Sequence, residues 1–358
     1  MKIGIFTYDF YPFEGGQGRH LFELYQRIYK SKQFIIFSPC KNKFEDHLQI
    51  FGWTKKIGKN ILLSFLLNFQ INQLIKKYNL KIVHFHCGPG GIILIRKPKA
   101  KMICTVHHTY FQQQKFVPGQ KWKKIFYYLE KLMYQKADKI ICVSQDTASV
   151  LKKEYQIKKS KTAVIPNGVN LSYFEPLKNI KKESKGLIFV GRLDKRKGID
   201  WLIEAVPLIK RKIPRVKLFV AGGGKFRNEL EKEVVNHKLE KNIVFLGFIR
   251  DEELSEWYNR AEATIIPSVF EGFGIIAIES MACGTPVLAT NVQGIREIID
   301  DGKNGILVNY GNKKALAEKA IKLLKNKSLR DKLTKEGLKT AKKYDWERIS
   351  QKTLTIYQ

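Results

Sequence analysis

The sequence predicts an α/β protein built from two parallel-sheet domains. Short apolar runs alternate with longer segments of helical periodicity along the whole chain, which is the pattern of strands joined by crossover helices. A polar, lysine-rich stretch without periodicity, Pro176 to Ser184, predicts a linker between two such series. At 358 residues the chain is long enough for two hydrophobic cores. We therefore expect a first domain over residues 1–175 and a second over residues 176–343.

The first series predicts six strands with amphipathic helices between them. The apolar runs that we interpret as strands are Lys2–Thr7, Phe34–Ser38, Ile82–His86, Met102–Val106, Ile140–Val143 and Thr162–Ile165. The helical pattern Gly119–Lys136 carries an apolar stripe through Trp122, Ile125 and Met133, with lysines beside it. Such a helix either packs its stripe on the sheet or presents a basic face to an anionic surface, and both interpretations stay open.

The second series continues the same alternation. Its expected strands are Leu187–Val190, Lys217–Ala221, Ile243–Leu246, Ala263–Ile266, Val287–Thr290 and Ile306–Val308. Helical stretches begin near Gly198, Phe226, Asp251, Gly274, Gly294 and Asn312. A second parallel sheet with helices on both faces is therefore expected.

The charge of the chain is unusual. It contains 65 Lys and Arg residues against 33 Asp and Glu, a net charge of +32, and both halves are basic. An excess of this size favours anionic partners such as nucleotide-sugars, anionic lipid surfaces or nucleic acid. A lysine-rich proteome would produce the same excess without any partner, so the charge alone does not choose between them.

The cysteines and the apolar runs indicate the compartment. Five scattered cysteines lie mostly in apolar runs and none forms a C-x-x-C pair, so neither zinc nor a disulfide framework is indicated. The amino terminus predicts a strand rather than a signal peptide. The most apolar segment, Ile61 to Phe69, is far shorter than the ~20 residues that a membrane span requires. We expect a cytoplasmic protein without a transmembrane helix.

A glycine-rich loop follows the first strand. Gly15 and Gly16 precede a helical pattern, and a turn of this kind presents backbone amides to phosphate. The loop does not complete G-x-G-x-x-G, because Leu21 stands at the third glycine position. A tight strand–helix turn without a ligand would have the same sequence.

Histidines end the third and fourth strands. His84 and His86 alternate along the third, with no further ligand nearby in the sequence, so we expect no metal there. His107 and His108 follow the fourth strand directly. Either could line a site at the carboxyl end of the sheet.

The first loop of the second domain has the sequence GRLDKRKG. Arg192 leaves the strand end and Lys197 stands at the next helix start, so both cations can converge on one anion. Lys195 and Arg196 fit a solvated run of charges better.

The stretch from Pro267 to Pro286, PSVFEGFGIIAIESMACGTP, follows the buried strand Ala263–Ile266. Two glycines flanking Phe273 allow a sharp turn, so that the amides of the next helix face outward and attract anions and hydroxyl oxygens. Glu271 lies in the turn and Glu279 in the helix. We expect both carboxylates beside one cleft at the carboxyl end of the strand.

These motifs resemble those of retaining GT-B-fold glycosyltransferases, of the glycosyltransferase family 4 or "group 1" type. The resemblance rests on the E-x7-E spacing, on G-R-L-x-x-x-K-G, on Thr105-Val106-His107 and on the turn at residues 166–170, PNGVN. It covers the whole chain and implies two Rossmann-like domains facing each other across a cleft. Residues 344–358 would cross back onto the first domain as a helix, and Trp346 matches the family's tryptophan at that crossing.

The resemblance also implies an activity and its residues. It implies a UDP- or GDP-linked sugar donor, a glycan or lipid-linked acceptor, and retention of anomeric configuration. The catalytic roles carry over to His107, Arg192, Lys197 and Glu271. The donor-binding roles carry over to Gly15, Gly16, Phe248, Gly272, Phe273, Gly274 and Glu279. His107 is preferred over His108 because it completes the T-x-H pattern, and no metal or cofactor is expected because no D-x-D triplet occurs.

Two other functions stay open. A related GT-B protein could be a sugar-nucleotide epimerase, which would need acid and base groups placed for proton abstraction. A basic, non-catalytic nucleic-acid-binding protein belongs to a different class, and no RNA-binding aromatic motif or helix-turn-helix pattern supports it. The basic first domain further predicts peripheral attachment to the anionic inner face of a membrane.

Overall fold

The protein consists of two compact α/β units. The computed structural model describes residues 1–12, 15–31, 33–56, 60–116 and 124–358. One unit comprises Met1–Asn167 and Trp346–Gln358, and the other Gly168–Asp345. Each has its own parallel sheet, so the predicted fold class of two Rossmann-like domains is confirmed. Residues 168–175, assigned to the first domain from sequence, group with the second unit.

The elements alternate along the chain as follows. The strands of the first unit are β1 Lys2–Phe6, β2 Phe34–Ser38, β3 His47–Gln49, β4 Leu80–Cys87, β5 Lys101–Val106, β6 Lys139–Cys142 and β7 Thr162–Val164. Its helices are α1 Gly16–Leu24, extended by a π-helical turn over Tyr25–Tyr29, α2 Trp53–Lys56, α3 Asn60–Tyr78, α4 Tyr110–Phe116, α5 Lys124–Lys136 and α6 Gln145–Lys153. The strands of the second unit are β8 Gly186–Val190, β9 Lys217–Ala221, β10 Ile243–Gly247, β11 Ala263–Ile266, β12 Val287–Thr290 and β13 Ile306–Val308. Its helices are α7 Ile199–Lys212, α8 Arg227–Asn236, α9 Asp251–Arg260, α10 Ile275–Ala282, α11 Lys313–Lys325 and α12 Lys327–Lys343, and the last helix, α13 Trp346–Leu354, is part of the first unit.

Both sheets have a point where the strand order reverses. The order is β3-β2-β1-β4-β5-β6-β7 in the first unit and β10-β9-β8-β11-β12-β13 in the second, and the pairing is parallel. The reversals fall between β1 and β4 and between β8 and β11. At such a point the connections leave for opposite faces of the sheet, which opens a crevice at the carboxyl ends of the strands.

The alternation of side chains along the strands divides the first unit into two apolar layers. Ile3 and Ile5 of β1 pack in one layer, with residues of α1 and α13. Phe6 faces the other side and packs with Leu63 of α3 and Met133 of α5. This is the period-two burial that a sheet covered by helices on both faces requires.

Some elements differ from the sequence-based prediction. β3, α2 and α4 were not predicted, because three to seven residues are too few to establish a periodicity. The helix expected near Gly294 is only a 3₁₀ turn, Ile295–Glu297. The predicted helix Gly119–Lys136 is observed from Lys124, and its first residues, with Trp122, lie outside the described residues.

The expected linker, Pro176 to Ser184, is attached to the second unit. The Leu177 amide donates to Asn259 Oδ1 at 2.9 Å, and Lys182 Nζ donates to the carbonyl oxygens of Asn259 at 3.0 Å and Ala261 at 2.9 Å. The segment that connects the two series is therefore held to the second unit by hydrogen bonds. A polar composition does not reveal whether the backbone groups of a segment bond to water or to the protein.

Among the described residues, no helix combines the length and the apolarity that crossing a bilayer requires.

Candidate functional site

Two loops at the reversal point of the second sheet bring the predicted charges together. The loop after β8 carries Arg192 and Lys197, and the loop after β11 carries Glu271. Because β8 and β11 are neighbours in a parallel sheet, both loops emerge at the same edge.

Lys197 and Glu271 form a buried ion pair. Lys197 Nζ donates to Glu271 Oε1 at 2.6 Å, and each residue is 8% exposed. Ser268 Oγ donates to the same oxygen at 2.7 Å. Arg196 Nη1 lies 3.5 Å from Glu271 Oε2 and donates to the Phe270 carbonyl at 3.0 Å. The interpretation of Arg196 as a solvated charge was wrong: in the fold its guanidinium turns inward to the carboxylate.

The electrostatics of this pair keep both groups charged. Burial alone would raise the pKa of Glu271, but the charges of Lys197 and Arg196 outweigh it and hold that pKa at about 2. Burial lowers the pKa of Lys197, the Glu271 charge acts against this, and Arg196 adds to the lowering. The loop therefore contains a buried, largely desolvated lysine, and the Glu271 carboxylate favours its charged form.

The turn after Glu271 leads directly into α10. Gly274 caps the helix with φ +100°, and a Cβ there would lie 2.5 Å from Ile295 Cδ1. Only glycine accepts this combination of backbone conformation and space. Gly272 precedes the buried Phe273, whose ring meets Tyr344 edge-on at 5.5 Å. Glu271 therefore lies in the turn that leads into the N-terminus of α10, as the sequence predicts.

Glu279 lies inside α10 and is 2% exposed. One of its carboxylate oxygens, Oε2, accepts a hydrogen bond from Tyr258 Oη at 3.0 Å. Tyr258 is itself fully buried and comes from α9. Sequence reasoning missed this tyrosine, because nothing local to α9 indicates a partner twenty-one residues away along the chain.

Two predicted residues of the second unit are exposed. The Arg192 side chain is 68% exposed, 3.5 Å from Asp194 Oδ2. Phe248, in the loop after β10, is 86% exposed. Both side chains are accessible to a ligand.

In the first unit, one backbone amide of the Gly15–Gly16 turn already donates a hydrogen bond within the chain. The Gly15 amide donates to Asp9 Oδ2 at 3.1 Å, and Asp9 Oδ1 lies 3.7 Å from Lys55 Nζ. Gly16 begins α1. Sequence reasoning missed Asp9, which competes for one of the amides assigned to phosphate.

The histidine that follows β5 belongs to a buried cluster. His107 Nε2 lies 3.2 Å from His86 Nδ1, and its ring meets that of His20 edge-on at 5.0 Å. Burial, and after it the neighbouring imidazoles, hold the pKa of His107 well below its ordinary value of 6.5. The ring is therefore neutral at neutral pH. His108, like His107, is half-buried, so exposure does not distinguish them.

His20 and His84 complete this cluster. His20 Nδ1 donates to Asn167 Oδ1 at 2.7 Å, and His84 contacts Tyr357 Oη at 2.6 Å and Thr105 Oγ1 at 2.8 Å. In the part of the chain that the structure describes, no group of three or more His, Cys, Asp or Glu residues is arranged to hold a metal ion.

Comparisons with known proteins show the family of the chain. The family model "Glycosyl transferases group 1" matches residues 175–340, and the model "Glycosyltransferase Family 4" matches residues 14–173. An uncharacterized glycosyltransferase of Methanocaldococcus jannaschii is 30% identical over 355 residues, which cover 98% of this chain and 96% of the relative. The chain therefore belongs to the GT-B-fold glycosyltransferases of this family.

Solved structures show the same fold over the full chain. Sucrose-phosphate synthase from Thermosynechococcus elongatus superposes with a TM-score of 0.87 at 22% identity, over 100% of this chain and 98% of the other. HepE of Anabaena, in complex with UDP-glucose, superposes with a TM-score of 0.78 at 18% identity, over 100% of this chain and 99% of the other. These two structures show the fold; the family models and the 30% identical relative show that the protein is a glycosyltransferase, and the alternative functions are not favoured.

Proposed function

We propose that the protein transfers a sugar from a nucleoside-diphosphate donor to a glycan or lipid-linked acceptor, with retention of anomeric configuration and without a bound metal. The observation that carries this proposal is the buried Lys197–Glu271 pair beside the N-terminus of α10. A charged lysine in a dry position next to helix amides is suited to an anionic leaving group.

Lys197 and Arg192 would stabilise the charge that develops on the diphosphate. An ammonium has three N–H donors, and the 2.6 Å bond to Glu271 uses one of them. The exposed guanidinium of Arg192 can swing onto the same phosphates. Cations in these positions replace the charge that a divalent metal would otherwise supply.

Glu271 and Glu279 would bind different parts of the donor. Glu271, with the amides of Phe273 and Gly274, would bind the sugar hydroxyls, and Gly272 lets the backbone approach. Glu279 would bind the ribose hydroxyls, since Tyr258 already orients its carboxylate. Phe248, exposed beside the end of β10, would contact the base. We assign the donor to the UDP- or GDP-linked class, and the UDP-glucose complex of HepE supports this class.

On the first unit, His107, Gly15 and Gly16 take the roles that the family resemblance implies. His107 would meet the sugar near its reacting carbon. A neutral imidazole accepts or donates a hydrogen bond there without adding a charge. Gly16, at the start of α1, would donate its amide hydrogen to the diphosphate. Gly15 has no side chain, so the backbone can approach the diphosphate closely.

The donor class is tested by thermal shift against a panel of nucleoside diphosphates and nucleotide-sugars. Binding stabilises the folded state by about 2.7 kcal/mol at a hundredfold excess over Kd, so one base should stand out. Transfer is then measured with that donor, and the anomeric configuration of the product is read by NMR. A donor that is epimerised without an acceptor, or an inverted product, would contradict the proposal.

Metal independence has its own test. Transfer should survive EDTA at a concentration that strips magnesium and manganese, because Lys197 and Arg192 carry the neutralising charge. Complete loss of activity that added Mn²⁺ restores would show that the diphosphate is neutralised differently.

A further inference from the structure

An exposed apolar stripe runs along α3. Ile61, Phe65 and Phe69 repeat every four residues on one side of the helix, and they are 49%, 59% and 56% exposed. The rings of Phe65 and Phe69 meet edge-on at 5.0 Å. Single exposed apolar side chains are common, but a helical row of them marks an interaction surface.

A second stripe lies on α5. Ile125, Tyr128 and Leu132 are 57%, 51% and 43% exposed. The sequence placed Ile125 in an apolar stripe and left open whether that stripe packs on the sheet. Met133 does pack there, but Ile125 does not.

The segment after β4 joins the two stripes. Asn68 of α3 accepts from the amides of Ile95 at 2.7 Å and Arg96 at 3.2 Å, and Lys136 of α5 donates to the Ile95 carbonyl at 2.5 Å. Ile95 itself is 41% exposed. The exposed apolar side chains of α3 and α5, together with Ile95, therefore lie on one side of the first unit, which we call the α3–α5 face.

The charge around this face is mainly basic: the acidic group that the structure shows there, Asp138 just after α5, is paired with Lys97 at 3.0 Å. Neither α3 nor residues 88–101 contain an Asp or Glu, and the one acidic residue of α5, Glu130, is buried. Arg96, Lys97 and Lys99 are exposed in the segment between the helices. The Arg96 guanidinium lies 5.5 Å from the centre of the Phe69 ring, so cation and apolar side chain occupy the same patch.

We propose that the α3–α5 face docks on an anionic lipid bilayer. Isoleucine, leucine and phenylalanine side chains gain free energy at the acyl boundary, while the surrounding Lys and Arg meet the headgroups. A second copy of the chain would bring like charges together. Nucleic acid would use the cations and aromatic rings but would gain nothing from the exposed Ile61, Ile95 or Leu132.

The test is co-sedimentation with phosphatidylcholine vesicles, with and without phosphatidylglycerol, at low and high salt. No donor or acceptor is present, so the result does not depend on the proposed transfer reaction. The protein should bind the anionic vesicles, and high salt should weaken the binding. Phe65→Ser with Phe69→Ser should reduce it by about tenfold or more. Val235→Ser, an exposed apolar position on α8 of the second unit, is the matched control and should bind normally.

A charge reversal separates the local surface from the net charge. Lys99→Glu should weaken binding by about fivefold or more, because two charges change where the bilayer would lie. Lys314→Glu changes the net charge equally on an exposed position of α11 and should have a much smaller effect.

Three outcomes would overturn the proposal, provided that circular dichroism shows the variants folded. Equal vesicle binding by Phe65→Ser/Phe69→Ser and Val235→Ser would place the contact elsewhere. A dimer that dissociates in the phenylalanine variant, seen by sedimentation velocity, would assign the face to a second copy. Loss of oligonucleotide binding in that variant, without vesicle binding by the parent, would assign it to nucleic acid.

Discussion

At the residue scale, the second unit buries a charged lysine, Lys197. Desolvation penalises the ammonium of Lys197, and Glu271 offsets that penalty at 2.6 Å. Because the pKa of Glu271 in the fold is about 2, against 4.5 for an ordinary glutamate, its contribution to stability is full above pH 4.5 and is lost as the pH falls toward 2. The pair therefore stays ionised throughout the neutral range.

Replacing Lys197 by Ala should slow transfer by orders of magnitude, since a contact to a developing charge contributes about 3–4 kcal/mol to the transition state. Arg196 and Ser268 remain to satisfy Glu271, so the variant should fold. Lys195→Ala removes an exposed lysine from the same loop and should be close to normal. Steady-state kinetics measures both variants, and near-normal turnover by a folded Lys197→Ala would refute the assignment.

Tyr258 is a second residue whose role can be measured. Tyr258→Phe removes only the hydroxyl that donates to Glu279. A hydrogen bond to a charged group contributes about 1.5–3 kcal/mol, so the donor should bind about tenfold or more weakly, with a smaller change in kcat. Tyr310→Phe, at a residue 46% exposed, is the control. An unchanged KM for the donor would show that the hydrogen bond from Tyr258 to Glu279 does not contribute to donor binding.

At the scale of the element, the start of α10 depends on one backbone conformation. Gly274 has φ +100°, and Gly294 (φ +82°) approaches the backbone of the same turn: a Cβ on Gly294 would lie 2.8 Å from the Glu271 carbonyl oxygen. Two loops thus pack backbone against backbone, which side chains at these positions would prevent. The orientation of the helix amides follows from this contact.

Gly274→Ala should therefore lower both stability and activity. The left-handed backbone costs a non-glycine residue about 1–2 kcal/mol, and Ile295 must also move. Gly223→Ala is the matched control, because a Cβ there meets nothing within 4 Å. Thermal unfolding and donor binding are compared for the two variants. Equal behaviour would show that the turn adapts without cost.

At the scale of the whole molecule, the five histidines whose pKa values are lowered in the fold all lie in the first unit. Burial lowers the pKa of His20 to about 4, of His84 to about 3 and of His47 to about 4. The pKa values of His86 and His107 also lie well below 6.5. All five residues lie in Met1–Asn167. Folding of the first unit therefore favours the neutral form of these rings.

Acid should therefore unfold the first unit before the second. An unfolded chain takes up protons below pH 6.5, whereas these folded rings resist until the pH reaches their lowered pKa values. The contribution of each ring is full above pH 6.5 and falls by about 1.4 kcal/mol per pH unit below it. The buried Glu130 carboxyl, whose pKa burial raises to about 8, offsets about one ring over this range, so the sum of the rings prevails. Calorimetry from about pH 7 to about pH 5 should show one transition moving down faster than the other. His84→Gln should reduce that slope and His237→Gln, in the second unit, should not. Transitions that move together would contradict this.

The sequence by itself determined the fold class and most of the strands. Apolar runs such as Ala263–Ile266 and Val287–Thr290 are local signals, and their alternation with helical patterns allows few topologies. The E-x7-E stretch and the GRLDKRKG loop likewise lie within short segments. Their residues could therefore be proposed as site residues from motifs, without knowledge of the packing.

Only the tertiary structure decided which side chains touch. Arg196 turns inward to Glu271, Tyr258 holds Glu279, and Asp9 takes the Gly15 amide, although none of these pairs is marked by local sequence. Periodicity left the packing of Ile125 open, because it identifies the apolar side of a helix but not what covers that side. Contacts between distant segments depend on the sheet order, and a single sequence read locally does not contain that order.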